Sequence, residues 1–414
     1  MDSAHLQQLP TIQLSDALKF FSGVQVKDFG GVGGLKTISV RSLGANHTAV
    51  AYDGISVSDC QTGQINLGRF SLENMETVHL NVDNGMDIFL PARLSASANV
   101  LQLFTLKPHF TDKKPYNVKV SFRGGSYTLL QPFLLVENQI SKHLVSSFMF
   151  DYIYQKGDYP FQIQNGDSTL TLKRTNADIQ MYRIEENLYL PINDKQELTA
   201  KVFYYHSEQN LPGAVIFYTV SPSQQLWDQS VFAQVHYRYK IHKKIHFQSN
   251  AKWNYASLRY VDSLYMNAEG ELDNRYIQRE IYLSNAALYM PFTHWSFSIS
   301  NDLSYNLMSA SVEDFVNPLR YSSLTAFSSL FSSKKVQVSA CVLHTYMYDL
   351  SQKSSFTKST DKWTPSFRIA YKPFDKEDFY IKAFYKHIFR MPTFNDMYYR
   401  LVGNVHLLPE NAYQ

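Results

Sequence analysis

From residue 117 onward, apolar and polar positions alternate. In "WDQSVFAQVHYRYKI", Trp227, Val231, Ala233, Val235, Tyr237, Tyr239 and Ile241 share one parity. Asp228, Ser230, Gln234, His236, Arg238 and Lys240 share the other. "KIHFQSNAKWNY" repeats the scheme, with Ile245, Phe247, Ala251, Trp253 and Tyr255 set against His246, Gln248, Asn250, Lys252 and Asn254. A period of two kept up over about ten residues predicts long strands with one greasy and one wet face. The rule predicts about 13 strands. They lie near 117–126, 130–140, 143–156, 175–191, 195–208, 226–241, 244–261, 275–291, 293–307, 318–333, 336–349, 362–373 and 378–390.

The connections carry more information than the strands. After the first pair, long loops near 157–174, 209–225, 262–274, 308–317 and 350–361 alternate with the short turns "NDK", "HKK", "FTH", "SSKK" and "FDKED". A soluble sandwich has no need of this alternation, whereas a transmembrane barrel has tight turns on one side and long loops on the other. The composition gains a reason at the same point. The chain holds 29 Tyr, 28 Phe and 4 Trp, and such residues collect at the two lipid–water interfaces. No apolar run reaches the roughly 18 residues of a membrane-spanning helix, a test to which barrel strands are blind.

Residues 1–107 have another texture. "TIQLSDALKFFSGVQV" places Ser15 as an N-cap, Ala17, Leu18 and Phe21 at helical spacing, and Gly23 as the stop. Short strands follow at Val24–Val26, near 36–42 and near 47–52. Asp53-Gly54, flanked by Val50, Tyr52, Ile55 and Val57, predicts a type I′ hairpin, since both central residues need φ > 0. "SLENMETVHL" reads as a turn of helix entering a strand. "KPHFTDKKPYN" closes this part, and 108–117 are expected to link it to the strands. The fold class expected is therefore a mixed α+β domain, 1–107, followed by an all-β antiparallel transmembrane barrel, 118–414. A wide barrel has a lumen to close, and the first domain is the size of a plug.

Charge and candidate chemistry narrow the functional classes. Net charge is +3 with no block of like charges, so nucleic acid is not an expected partner. Cys60 and Cys341 are too few for a disulfide framework or a metal cluster. "GGVGG", 30–34, lacks the Lys and helix of a phosphate loop, and no Ser/His/Asp or Cys/His arrangement points to an enzyme. Neither a cofactor nor a metal is expected. Asp158, Asn165 and Asp167 offer oxygen ligands in one outer loop, but their spacing matches no EF-hand. Arg41 and Arg93 read as partners of barrel carboxylates before they read as anion sites.

"LSDALKFFSGVQVKDFGGVGGLKTISVRSLGANHTAVAYDGISVSD" resembles the plug of TonB-dependent outer-membrane receptors, with "FSGVQV", "VRSLG" and "YDG" as its counterparts of the family pattern. "FRMPTFNDMYYRLVGNVHLLPE" resembles the family's barrel signature near the other end. "GANHTAVAYDGISVSDCQTGQ", "GDYPF" and "LPGAVIFY" are most similar to the cobalamin-receptor branch, in forms from Bacteroidetes-type bacteria. The usual glycine-rich plug ending is replaced by "NVDNGMDIFLPARLSASANVLQLFT".

The resemblance implies active transport across the outer membrane of a large scarce ligand, cobalamin or a corrinoid. A ferric siderophore or haem is the alternative, and a β-rich surface adhesin is the rival of another class. Implied partners are the TonB energy-coupling complex, through a box that this sequence lacks, outer-membrane lipid, and a surface lipoprotein left open. The family barrel has about 22 strands, so the chain is expected to be a piece lacking its signal peptide and its last strands. Ligand contact is expected at the plug apex, from Ser56, Ser58, Asp59, Gln61, Thr62 and Gln64, which are dense in donors and acceptors. The barrel orientation predicts that Ala233→Arg, toward lipid, is costly, and that Gln234→Arg, toward the lumen, is mild.

Overall fold

The computed structural model describes residues 1–2, 5–6, 13–82, 86–111, 114–215, 222–267, 270–352, 357–377, 379–399 and 402–414. Of the stretches that carried the resemblance, residues 83–85, 216–218 and 400–401 lie outside these.

The N-terminal part folds as expected in kind, with differences in detail. Helix α1, Leu14–Leu18, buries Leu14, Ala17 and Leu18. Its N-cap is Gln13, not Ser15, because the helix begins one residue before Ser15, which is itself buried inside it. Strands β1, Val24–Asp28, and β2, Lys36–Val40, pair antiparallel. Strands β3, Thr48–Tyr52, β4, Ile55–Val57, β5, Met75–Val82, and β6, Asn99–Thr105, form a second sheet in the order β4-β3-β6-β5. Asp53 and Gly54 both have positive φ, 50° and 82°, as the type I′ hairpin requires. A short helix, α2, Ala92–Ala96, precedes β6.

The remaining strands are β7, Tyr116–Gly125, β8, Leu129–Ser141, β9, Leu144–Gln155, β10, Pro160–Asn165, β11, Ser168–Lys173, β12, Ile179–Asn193, β13, Gln196–Leu211, and β14, Gln224–His242. They continue with β15, Ile245–Asn267, β16, Gly270–Tyr289, β17, Trp295–Ala310, β18, Pro318–Ser332, β19, Val336–Ser351, β20, Thr357–Tyr371, β21, Ile381–Arg390, and β22, Glu410–Tyr413. Apart from the separate β10–β11 hairpin, all join one antiparallel sheet of 14 strands. The strand beyond the expected 13 is β22, which is four residues long and too short for a period to show. Strand β7 starts at Tyr116, inside the stretch read as linker. The long loop expected at 262–274 is replaced by continued pairing of β15 with β16, which runs on to Asn267 and Gly270 across a register shift.

Register explains how the sheet separates two solvents. Val202, Ala233, Trp253, Ile281, Tyr305 and Tyr321 are successive cross-strand partners from β13 to β18, and all but the half-buried Tyr305 are exposed. One residue away, Lys201, Gln234, Lys252, Tyr282, Ser304 and Ser322 are likewise successive partners, and every one is buried. The outer row is apolar because it faces lipid; the inner row is polar and buried because the plug lies against it. This corrects the expectation for Gln234. Its position is a packed interface, where the amide donates to the Tyr52 carbonyl at 3.2 Å.

Plug and wall also share an apolar core. Leu14, Val40, Tyr52, Leu67 and Phe70 from the plug pack with Ile153, Met181, Phe203 and Phe232 from the wall. Phe203 and Phe232 stack at 4.6 Å, and the Tyr52 ring meets both edge-on. Phe232 sits on the polar parity of its strand because what it faces is the plug.

Candidate functional site

Of the six residues expected at the plug apex, Ser56 lies in β4 and the other five in the turn that follows it, and most are already committed to the wall. Ser56 is buried, and its carbonyl accepts from Lys252 at 3.0 Å. The Ser58 hydroxyl donates to Glu280. Asp59 accepts from the Thr62 amide and hydroxyl at 2.7 and 3.1 Å, which closes the turn, and from Gln278 at 3.2 Å. Gln61 is buried, and its side-chain oxygen accepts from Gln278 at 3.3 Å. Thr62 and Gln64 keep part of their surface open. The turn is thus a fixed shape, in which Ser58, Asp59, Thr62 and Gln64 are all half-buried and the Thr62 hydroxyl also accepts from the Gln64 amide at 3.2 Å.

Two wall residues that the sequence reading passed over, Gln278 and Glu280, organise the turn from β16. Glu280 also receives Arg93, at 2.7 Å, and the guanidinium lies 4.4 Å from the Tyr282 ring. The Arg93 amide donates to Asp302 at 2.7 Å, so α2 is pinned at its start. Arg93 therefore has the barrel carboxylate expected of it. Arg41 is exposed and has no carboxylate partner among the described residues. In the outer hairpin, Lys173 and Lys156 lie 2.7 and 3.2 Å from Asp158 and hold its carboxyl below the usual carboxylate range. Asp158 is a lysine partner there.

Deeper in the lumen the same design recurs. Arg183, 2% exposed, reaches from β12 to Asp151 on β9 at 2.9 Å and to the plug carbonyl of Gly68 at 2.7 Å. Arg69 of the plug forms a two-pronged pair with Asp228 of β14, at 3.1 and 2.7 Å. Lys201 of β13 bridges Asp53 and Glu185, 2.6 and 2.8 Å away. Asp53 also accepts from the Thr105 amide and hydroxyl, both at 2.9 Å, so the hairpin residue is a hub as well as a turn. The Tyr52 phenol is pushed well above its ordinary pKa by burial and by the neighbouring Glu185 and Asp53 carboxylates, so it stays a neutral donor.

Among the cavities between plug and wall, two border the residues described above. One, of about 310 Å³, is bordered by Asp53, Thr105, Lys107, Lys201, Gln234 and His236. The other, of about 250 Å³, lies under the apex beside His47, Asp59, Arg93, Arg320 and Met391. His47 Nδ1 and Asn46 Oδ1 are buried there without a protein partner, which suits a wet, polar space.

Gly63 completes the turn with φ 71°, and a Cβ on it would meet the Thr393 methyl at 3.0 Å. Gly63→Ala is expected to cost about 1–2 kcal/mol from backbone strain and crowding together. Denaturant midpoints of parent and variant check this; equal midpoints would show that the apex is looser than drawn.

Residues 1–83 match the family model for the TonB-dependent receptor plug domain. The vitamin B12 transporter BtuB of Vibrio vulnificus (strain YJ016) is 33% identical over 78 residues, 18% of this chain and 13% of that protein. The FrpB iron transporter from Neisseria meningitidis (F3-3 variant) superposes with a TM-score of 0.77 at 10% identity, covering 95% of this chain and 64% of its own. The siderophore receptor PiuA from Acinetobacter baumannii gives 0.71 at 11% identity, covering 100% of this chain and 68% of its own. At such identities the solved structures speak for the fold, and the chain spans about two thirds of their length. Residues 1–83 thus carry the plug domain of TonB-dependent receptors, and the chain as a whole shares its fold with the outer-membrane receptors on which it superposes.

Proposed function

We propose that the receptor carrying this chain imports a large, scarce ligand across the outer membrane, driven by TonB, and that the ligand is cobalamin or a related corrinoid. The observation that carries the transport reading is the plug seated against the inner face of the 14-stranded wall. A plug held to the wall by Arg183, Arg69 and Lys201 blocks passive flow, so passage needs work delivered from elsewhere. Charged interface groups suit a plug that must shift, because they can exchange partners or water as it moves. Plug residues 1–107 and the linker after them are the parts on which that work would act.

Two features support the corrinoid. The plug sequence is similar to a vitamin B12 transporter, and the apex offers Thr62 and Gln64 to a ligand rimmed with amides. Ser56, Ser58, Asp59 and Gln61 then serve the ligand by shaping the turn. The likeness of the fold to iron and siderophore receptors keeps a ferric chelate as the second reading.

Titration of the detergent-purified receptor with cyanocobalamin and with a ferric siderophore, side by side, tests this. The expected result is nanomolar binding of cyanocobalamin alone, weakened about tenfold when Thr62 and Gln64 are both changed to Ala. Binding of the siderophore alone would transfer the reading to iron. Binding of neither would remove both ligands and leave the receptor fold.

A further inference from the structure

After β21 the chain turns inward. Met391, Phe394 and Met397 are buried at 6%, 1% and 1% exposure, although they belong to the connection between two outer strand ends. A short helix, α3, Phe394–Tyr398, forms here under a complete capping box. The Asp396 amide donates to the Thr393 hydroxyl at 3.2 Å, and the Thr393 amide donates back to the Asp396 carboxylate at 2.8 Å. The first amides of a helix have no partner within it. Those of Phe394 and Asn395 donate to the carbonyls of Cys60 and Gln61, at 3.0 and 2.9 Å. The apex turn thus completes the helix, and the helix in turn holds the apex.

Side chains repeat the message. Phe394 packs in a cluster with Met308 and Phe315, and Cys60 lies against that cluster. Arg320, fixed by Asp349 at 2.6 and 2.8 Å, donates to the Pro392 carbonyl at 3.1 Å and lies 5.1 Å from the Phe394 ring. The Thr393 methyl stands where a Cβ on Gly63 would be crowded. The segment that does this is the "FRMPTFND" stretch.

We propose that residues 391–399 form a latch that positions the Asp59–Gln64 turn for ligand capture and releases it for passage. The proposal rests on the transport reading for its purpose, but the latch itself is a property of the ligand-free receptor. Its residues act through the apex, so they are positioning residues. Two backbone bonds and one aromatic contact are enough to order a six-residue turn and few enough to break when the plug is pulled.

Cys60 is a native reporter under the latch. Its thiol contacts Gln278 at 3.2 Å, and burial pushes its pKa well up, so it is slow to react with a maleimide. The test uses the full-length receptor with every cysteine but Cys60 changed to Ser, Cys341 among them, without ligand. Asp396→Ala, which removes half of the capping box, is expected to speed Cys60 labelling about fivefold. Asp396→Asn keeps an acceptor for the Thr393 amide and is expected to stay near the parent rate. Phe394→Ala is expected to speed labelling at least about a hundredfold.

Equal rates in parent, Asp396→Ala and Phe394→Ala would overturn the latch. So would Asp396→Asn as fast as Asp396→Ala, since charge and not capping would then be the cause. Asp396 lies at the surface, so its variants keep the test alive if Phe394→Ala does not fold. A receptor that labels as expected but binds neither cyanocobalamin nor a siderophore would refute the proposed ligands and keep the latch.

Discussion

Lys201→Met is expected to loosen the hold of the wall on the plug by about 3–5 kcal/mol. The ammonium lies 2.6 Å from Asp53, 2.8 Å from Glu185 and 3.7 Å from the centre of the Tyr52 ring. Glu185 is fully buried and also takes Asn74 at 3.1 Å and Asn187 at 2.7 Å. Methionine keeps the apolar stem but removes the ammonium that bridges Asp53 and Glu185, so the two carboxylates lose the counter-charge they share among the described residues. Most of the expected loss is this stranded charge and not the worth of the bond itself. Glu185→Gln added to Lys201→Met should therefore recover about half of the loss, because the amide can still accept from its asparagine neighbours. Protease sensitivity of the plug and the denaturant midpoint in detergent read both effects. A single variant as resistant as the parent would show that the bridge does not hold the plug. A double variant no better than the single would show that the loss came from packing.

The architecture was readable because its signal is periodic and local. One residue of register separates Ala233 from Gln234, and that step alone divides lipid from plug along the whole row from β13 to β18. The Asp53-Gly54 turn was readable because few residue pairs accept positive φ twice. Three things were not readable, each for a physical reason. The lumen face looks wet in a sequence whether water or a plug fills it, so Gln234 was misjudged, and Phe232, apolar on the wet parity, finds its reason only in the plug. The apex residues announced their hydrogen-bonding capacity but not their partners. Gln278 and Glu280 lie more than two hundred positions away, and alternation says only that they face inward. Strand β22 and helix α3, four and five residues long, are too short for a period to repeat enough to show; only the Thr393–Asp396 spacing of a capping box could have marked the helix. The site was thus legible as a place, the turn after the "DG" hairpin, and not as a set of free groups.

Ala233→Arg is expected to cost about 2–4 kcal/mol. Ala233 stands at the middle of β14, in the exposed row between Val202 and Trp253, so an arginine there must carry its charge to the nearest interface or thin the bilayer around it. The next residue gives the control that the fold requires. Gln234 is 4% exposed, and an arginine in its place must enter the 310 Å³ cavity beside Lys201 or push the Tyr52 strand aside. That should cost about 1–3 kcal/mol by overpacking and like charge. Arg238 is on the same inner parity but exposed near the short turns, where it pairs with Glu197 at 3.1 Å. Arg238→Gln should stay within about 0.5 kcal/mol. Lipid composition separates the first two: shortening the acyl chains should lessen the penalty of Ala233→Arg, since the charge then lies nearer water, and leave that of Gln234→Arg unchanged. Folding titrations in vesicles of two thicknesses make the measurement. If both penalties respond alike, the row containing Ala233 does not face lipid. If only the first responds, the barrel stands in the membrane as drawn, with the plug and not water behind its inner face.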